Sequence, residues 1–157
     1  MQTRIVTILV VLALGASATA CSGDDDADAP TTEVPVIDAD EGLIGACLAF
    51  AADTGAEITS FPRVECAEPH SHEVFAVIES DEPAYPGFEA LEAEAQVACL
   101  AAFEPYVGVN AFDSELFYEW IVPTLASWDR ADDRQIVCVA GSHDGAPLTA
   151  SVKGTAR

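Results

Sequence analysis

His72-Glu73-Val74-Phe75-Ala76-Val77-Ile78-Glu79 (HEVFAVIE) is the stretch on which the fold turns. Side chains alternate across a strand, so Val74, Ala76 and Ile78 would share one face while Phe75 and Val77 take the other. Apolar groups on both faces predict a central strand covered on both sides rather than a strand with one wet face. Working outward toward the N-terminus, Phe61 to Cys66 and Leu43 to Phe50 (LIGACLAF) read as further strands, separated by a polar turn at Asp53-Thr54-Gly55.

Toward the C-terminus, Asp81 to Gly87 (DEPAYPG) is a proline-rich loop, and Phe88 to Tyr106 follows as the main helix. Phe88, Leu91, Ala95, Ala98, Cys99, Ala102 and Tyr106 recur at spacings of three and four. Glu89 and Glu92 stand in the first turn, where the helix dipole favours carboxylates, and Pro105 with Gly108 closes the other end. Phe117 to Pro123 (FYEWIVP) suits a strand or a short helix. Ile136 to Ala140 (IVCVA) is a short buried strand, and Ser142-His143-Asp144-Gly145 is a hairpin turn from which Leu148 to Val152 returns. The expected class is α+β: a small, mainly antiparallel sheet with one main helix. No internal repeat is present.

The N-terminal residues carry a different kind of information. Arg4 precedes an uncharged apolar run, Ile5 to Ala16, too short for the roughly 20 residues that span a bilayer. Small residues then lead to Cys21, which is the layout of a secretory signal over residues 1–20. Ala18-Thr19-Ala20-Cys21 resembles a bacterial lipobox, with Ala18 where leucine is usual, and predicts diacylation of Cys21. Cleavage by an ordinary signal peptidase, releasing a secreted protein, is the alternative. A free exposed thiol in an oxidising compartment is reactive, which favours the lipid. Two acyl chains anchor firmly, since each buried CH₂ contributes about 0.8 kcal/mol. Residues 21–41, rich in Asp, Pro and Thr, have almost nothing to bury and read as a disordered acidic linker. Residues 42–157 form one domain.

Of five cysteines, setting Cys21 aside leaves Cys47, Cys66, Cys99 and Cys138. An even number in an exported domain predicts two disulfides, with three possible connectivities. The long gaps and the lack of C-x-x-C argue against zinc. Six cationic against 27 acidic residues give a net charge of −21, which argues against nucleic acid as a partner.

Two stretches concentrate residues able to carry chemistry. In a strand, His70 and His72 point to one face, near enough to share a metal, with Glu73 pointing away; a third ligand is wanting. The preferred reading is that His70 hydrogen-bonds a neighbouring backbone or carboxylate and orders the turn. Trp128 to Arg134 (WDRADDR) reads as a salt-bridged loop with Trp128 packed beneath it, or else as a recognition surface around Trp128 and Arg134. No G-x-S-x-G, phosphate loop or H-E-x-x-H occurs, and nothing in the spacing of Ser, His and Asp brings them together.

The order of residues is itself informative. Gly45-Ala46-Cys47-Leu48, then Val64-Glu65-Cys66-Ala67-Glu68-Pro69-His70-Ser71-His72-Glu73-Val74-Phe75-Ala76-Val77, resembles the opening of the actinobacterial septum formation domain family. Tyr85-Pro86-Gly87, Cys99, Phe103, Tyr106-Val107-Gly108, Pro123, Trp128, Asp133-Arg134 and Cys138 continue the likeness, and Leu148 to Gly154 resembles its closing segment. Asp132 stands where that pattern has a glycine. The resemblance implies an exported or membrane-anchored protein linked to the division septum, with no established catalytic activity. The expected pairing is Cys47–Cys66, joining neighbouring strands, and Cys99–Cys138, pinning the helix to the sheet.

The expectation is therefore a monomeric, lipid-anchored, non-catalytic envelope module without a cofactor, on the outer face of the membrane, contacting a protein or cell-wall partner. A metal-binding or sensor module on His70 and His72 is the second reading, and an envelope hydrolase the third.

Overall fold

The computed structural model describes residues 42–50 and 61–157. The signal segment, Cys21, the acidic linker and the turn at 53–55 lie outside the described residues.

Strand β3 (His72–Glu79) is central, as its doubly apolar pattern predicts. It pairs antiparallel with β1 (Cys47–Leu48) on one side and β5 (Gln135–Ser142) on the other. Strand β2 (Arg63–Val64) extends the sheet beyond β1, and β4 (Leu116–Ile121) extends it beyond β5. Among the described residues the sheet is thus five-stranded and antiparallel, in the order β2-β1-β3-β5-β4. The open choice at Phe117 to Pro123 resolves as strand. The predicted strands at Leu43 to Phe50 and Phe61 to Cys66 shrink to two residues each. In the first, the chain turns at Gly45, whose φ of 88° is a left-handed conformation that costs glycine nothing.

The predicted alternation in β3 breaks once. The register slips between Val74 and Ala76, inserting Phe75 as an extra residue opposite β5. Such a bulge rotates the side chains that follow it. Ala76 and Ile78 consequently join Phe75 on one face, against Ala95, Cys99 and Phe103, instead of sharing a face with Val74. Val74 and Val77 lie on the other, with Leu43, Leu48, Val137 and Val139. Two apolar layers therefore sandwich one sheet.

Helix α1 (Phe88–Val107) covers the first layer with Leu91, Ala95, Cys99, Phe103 and Val107, a stripe with one residue every four. Phe88, expected on that stripe, is 57% exposed. Glu89 alone occupies the first turn on the acidic side; Glu92 falls beyond it. Pro105 lies inside the helix, two residues before its end, rather than closing it. Gly108 is the true stop: at φ 95° its N–H reaches the Glu104 carbonyl at 2.8 Å.

Both expected disulfides are present. Cys99–Cys138 joins α1 to β5 with Cα atoms 5.5 Å apart. Cys47–Cys66 joins β1 to the segment just after β2, with Cα atoms 5.2 Å apart. Trp128 opens no loop; it belongs to a second helix, α2 (Leu125–Ala131), started by a Thr124/Ser127 capping box. The helix ends at Asp132 with φ 54°, a left-handed conformation in which Asp is among the better tolerated non-glycine residues. That is the position where the resembling pattern carries glycine. Finally, Leu148 to Val152 does not return alongside β5. Leu148 forms a single bridge with His70, which carries the following residues across to Glu73.

Candidate functional site

Glu73 is fully buried on the helix-facing side of β3. An acceptor-only group in such a place must find donors or destabilise the fold. The Tyr106 hydroxyl donates to Oε1 at 2.6 Å, the Ser151 hydroxyl to the same oxygen at 2.8 Å, and the Val152 N–H to Oε2 at 2.7 Å. Central strand, main helix and C-terminal segment thus meet on one carboxylate. Burial, and then the bond to Glu73, push the Tyr106 phenol far above its ordinary value. Lys153 reaches over the Tyr106 ring, 5.5 Å from its centroid.

Cys47 Sγ lies 3.7 Å from Glu73 Oε2, and Cys47, Cys66 and Glu73 bring their donor atoms within 4.8 Å of one another. With both sulfurs in a disulfide there is no thiol proton to donate and no thiolate to bind a metal. The cluster is a structural knot. The sequence places Tyr106 on the helix stripe and Ser151 and Val152 in the closing segment, but does not link them to Glu73. A buried glutamate needs donors, and the Tyr106 hydroxyl on the helix stripe is one available signal.

On the opposite face, the two histidines do line one cleft. Its volume is about 340 Å³, and its walls include Phe50, Pro69, His70, Ser71, His72 and Phe117. Its floor depends on Gly141 in β5. A Cβ there would meet Phe117 Cζ at 2.7 Å and His72 Cδ2 at 3.1 Å, so both rings lie where another residue's side chain would begin. The rings of Phe50, His72, Phe117 and His143 follow one another edge to face or tilted, with centroids 5.5 to 5.8 Å apart.

His70 is 2% exposed. Its Nδ1 lies 2.8 Å from the Glu68 carbonyl, which can only accept, so Nδ1 carries a proton, and in the neutral ring Nε2 presents a lone pair. That Nε2 is closed to solvent and has no hydrogen-bond partner among the described residues. His72 Nδ1 lies 2.9 Å from Ser71 Oγ, and its Nε2 lies 3.6 Å from Glu119 Oε2. Burial, the larger effect, lowers the His72 imidazole below its ordinary value; Glu119 opposes this and His70 adds to it. No third histidine, cysteine or carboxylate joins the histidine pair as a compact ligand set among the described residues.

Ser71, His72 and Glu119 do come together as serine, histidine and carboxylate, a juxtaposition their spacing in the sequence hides. The geometry does not present a nucleophile. Ser71 Oγ accepts the Phe50 N–H at 3.0 Å and lies 3.0 Å from the Leu48 carbonyl, so backbone groups hold it on both sides. A developing oxyanion also needs unengaged donors. The N–H groups of Ala49, Phe50, Ser71 and Ala146 in the cleft wall are all bonded within the protein.

Trp128 is 2% exposed and packs edge-on against Tyr85. Arg134 lies over the indole at 3.9 Å. Its guanidinium donates to the Trp128 and Asp133 carbonyls and pairs with Asp132 at 2.9 Å. These bonds close the C-terminal end of α2, where a cation complements the helix dipole.

No curated protein matches the chain, and no solved structure does. The septum formation family does match, over residues 22–138. The matched span stops at Cys138, so the expected likeness of Leu148 to Gly154 lies beyond it. It begins at Ser22, upstream of Gly42, and contains all four paired cysteines, the Pro69-His70 and Glu73-Val74 pairs, and Trp128. On that match, which covers well over half of its length, the chain belongs to the septum formation family.

Proposed function

We propose that this protein is a lipid-anchored, non-catalytic binding module on the outer face of the cell membrane, serving division-septum or cell-wall assembly. The carrying observation is the family match together with two disulfides, which suit an oxidising compartment. Anchoring at Cys21 follows from the lipobox-like residues and from the pairing of the other four cysteines, which makes Cys21 the odd one. The non-catalytic reading is supported by the restrained Ser71 hydroxyl and by the engaged N–H groups of the cleft wall. A monomer contacting a protein or cell-wall partner is the corresponding assembly.

Imaging of a tagged protein in dividing cells, with cross-linking and recovery of partners, tests the reading. Septal enrichment with a recurrent partner is expected. A uniform distribution with no partner overturns it. Intact mass of the native protein should show acylation, and Cys21→Ala should move the protein from the membrane fraction to the medium.

A further inference from the structure

The cleft offers acceptors and withholds donors. The Ser142 hydroxyl donates to Asp144 at 2.7 Å, and the Ser71 proton is engaged by its own neighbours. His70 donates through Nδ1 to Glu68. Backbone N–H groups along the rim are bonded too: Gly145 to the Ser142 carbonyl and Ala146 to Asp144, while Pro69 and Pro147 have none. What remains without a partner is the buried Nε2 lone pair of His70. Leaving such an acceptor unmatched destabilises the fold, and a ligand donor would recover that loss.

An anion has nothing to bind here, and the charge of −21 repels it. Glu119, beside His72, adds a further acceptor at the edge. Phe50 and Phe117 supply ring surface, which favours a cation over a neutral donor. We infer that the cleft bounded by Phe50, His70, His72 and Phe117 binds a free alkylammonium group of a peptide, which donates a hydrogen bond to His70 Nε2. The rim at Gly145 to Pro147 is exposed and must move for a donor to reach the buried Nε2. This deepens the binding-module reading and rests on it. Two sources carry that chemistry: a cell-wall peptide with a free side-chain amine, and an exposed lysine of a protein.

Nitrogen NMR of histidine-labelled protein tests the inference. The probes are Nα-acetyl-lysine methylamide, its norleucine counterpart, and a cell-wall stem peptide with its side-chain amine free or acetylated. The His70 Nε2 resonance should move with both free amines and stay still with norleucine and the acetylated peptide. The tighter of the two amine arms identifies the source. His70→Phe should weaken amine binding at least tenfold; if that variant misfolds, the wild-type resonance decides. No shift with any amine, an equal shift with norleucine, or a response to ZnCl₂ at lower concentration than to amine overturns the inference. Such a failure with septal enrichment intact leaves the proposed function standing, whereas uniform distribution removes that function whatever the NMR shows.

Discussion

Glu73→Gln is the smallest change that probes the buried carboxylate, because it keeps the volume and replaces one acceptor oxygen with a donor. In the native geometry Oε1 takes two hydroxyls and Oε2 takes the Val152 N–H. With the amide nitrogen at the Oε2 position, two N–H groups oppose each other at a distance where one bond stood. Flipping the amide relieves Val152, but then the Tyr106 and Ser151 hydroxyls must turn to accept, and their protons lose their partner. Hydrogen bonds to a charged group are worth about 1.5–3 kcal/mol each, and neutral ones roughly half that. Losing one and weakening the others gives an expected destabilisation of about 2–4 kcal/mol. Urea unfolding of the oxidised protein, followed by Trp120 and Trp128 fluorescence, reads this directly. For a slope near 1.5 kcal/mol/M, the midpoint should fall by roughly 2 M. Glu89→Gln, on the exposed first turn of α1, is the control and should stay within about 0.5 kcal/mol. A Glu73→Gln loss no greater than the control's would refute the claim that this carboxylate ties the fold together.

Gly141→Ala should destabilise by about 1–3 kcal/mol and deform the cleft, because the new methyl meets the Phe117 ring at 2.7 and 2.9 Å; altered Phe117 ring resonances would check it. Removing Cys99–Cys138, which spans 39 residues, should cost about 4 kcal/mol by loop entropy, against about 3 for Cys47–Cys66 with its span of 19. Thermal melts of the two double-alanine variants give that ranking. Stability should also respond to pH at both ends. Unfolded His72 takes up a proton near pH 6.5 while the folded, buried ring resists, so stability falls as pH drops below about 6.5 and His72→Gln removes that slope. Unfolded Tyr106 loses its proton near pH 10 while the folded phenol keeps it, so stability falls as pH rises above about 10, and Tyr106→Phe should flatten that limb.

The sequence yielded most of the frame because its signals were local. The doubly apolar run at His72 to Glu79 and the four-residue stripe of Leu91, Ala95 and Cys99 each announce their own burial. The bulge at Phe75 was invisible, since one slipped residue leaves composition and length unchanged while turning Ala76 and Ile78 to the other face. Trp128 to Ala131 hid as a loop because the charged run from Asp129 to Arg134 masked the end of a seven-residue helix begun by Thr124. The site residues divide the same way. His70 and His72 fall together because they are two apart on one strand edge. Tyr106 and Ser151 reach Glu73 from 33 and 78 residues away, and no periodicity connects them.

The Glu73 knot also sets an order of events. Its last donors, Ser151 and Val152, follow it by 78 and 79 residues, and the bonds from Gly154 and Ala156 to the Tyr106 and Val107 carbonyls come later still. Under the proposed export, a chain delivered N-terminus first would present both ends of Cys47–Cys66 before the last donors to Glu73. The carboxylate can be shut away only once residue 152 has emerged. The segment around Ser151 and Val152 is therefore a latch: the shell of donors around the carboxylate is complete only when this late stretch joins the strand and helix that precede it.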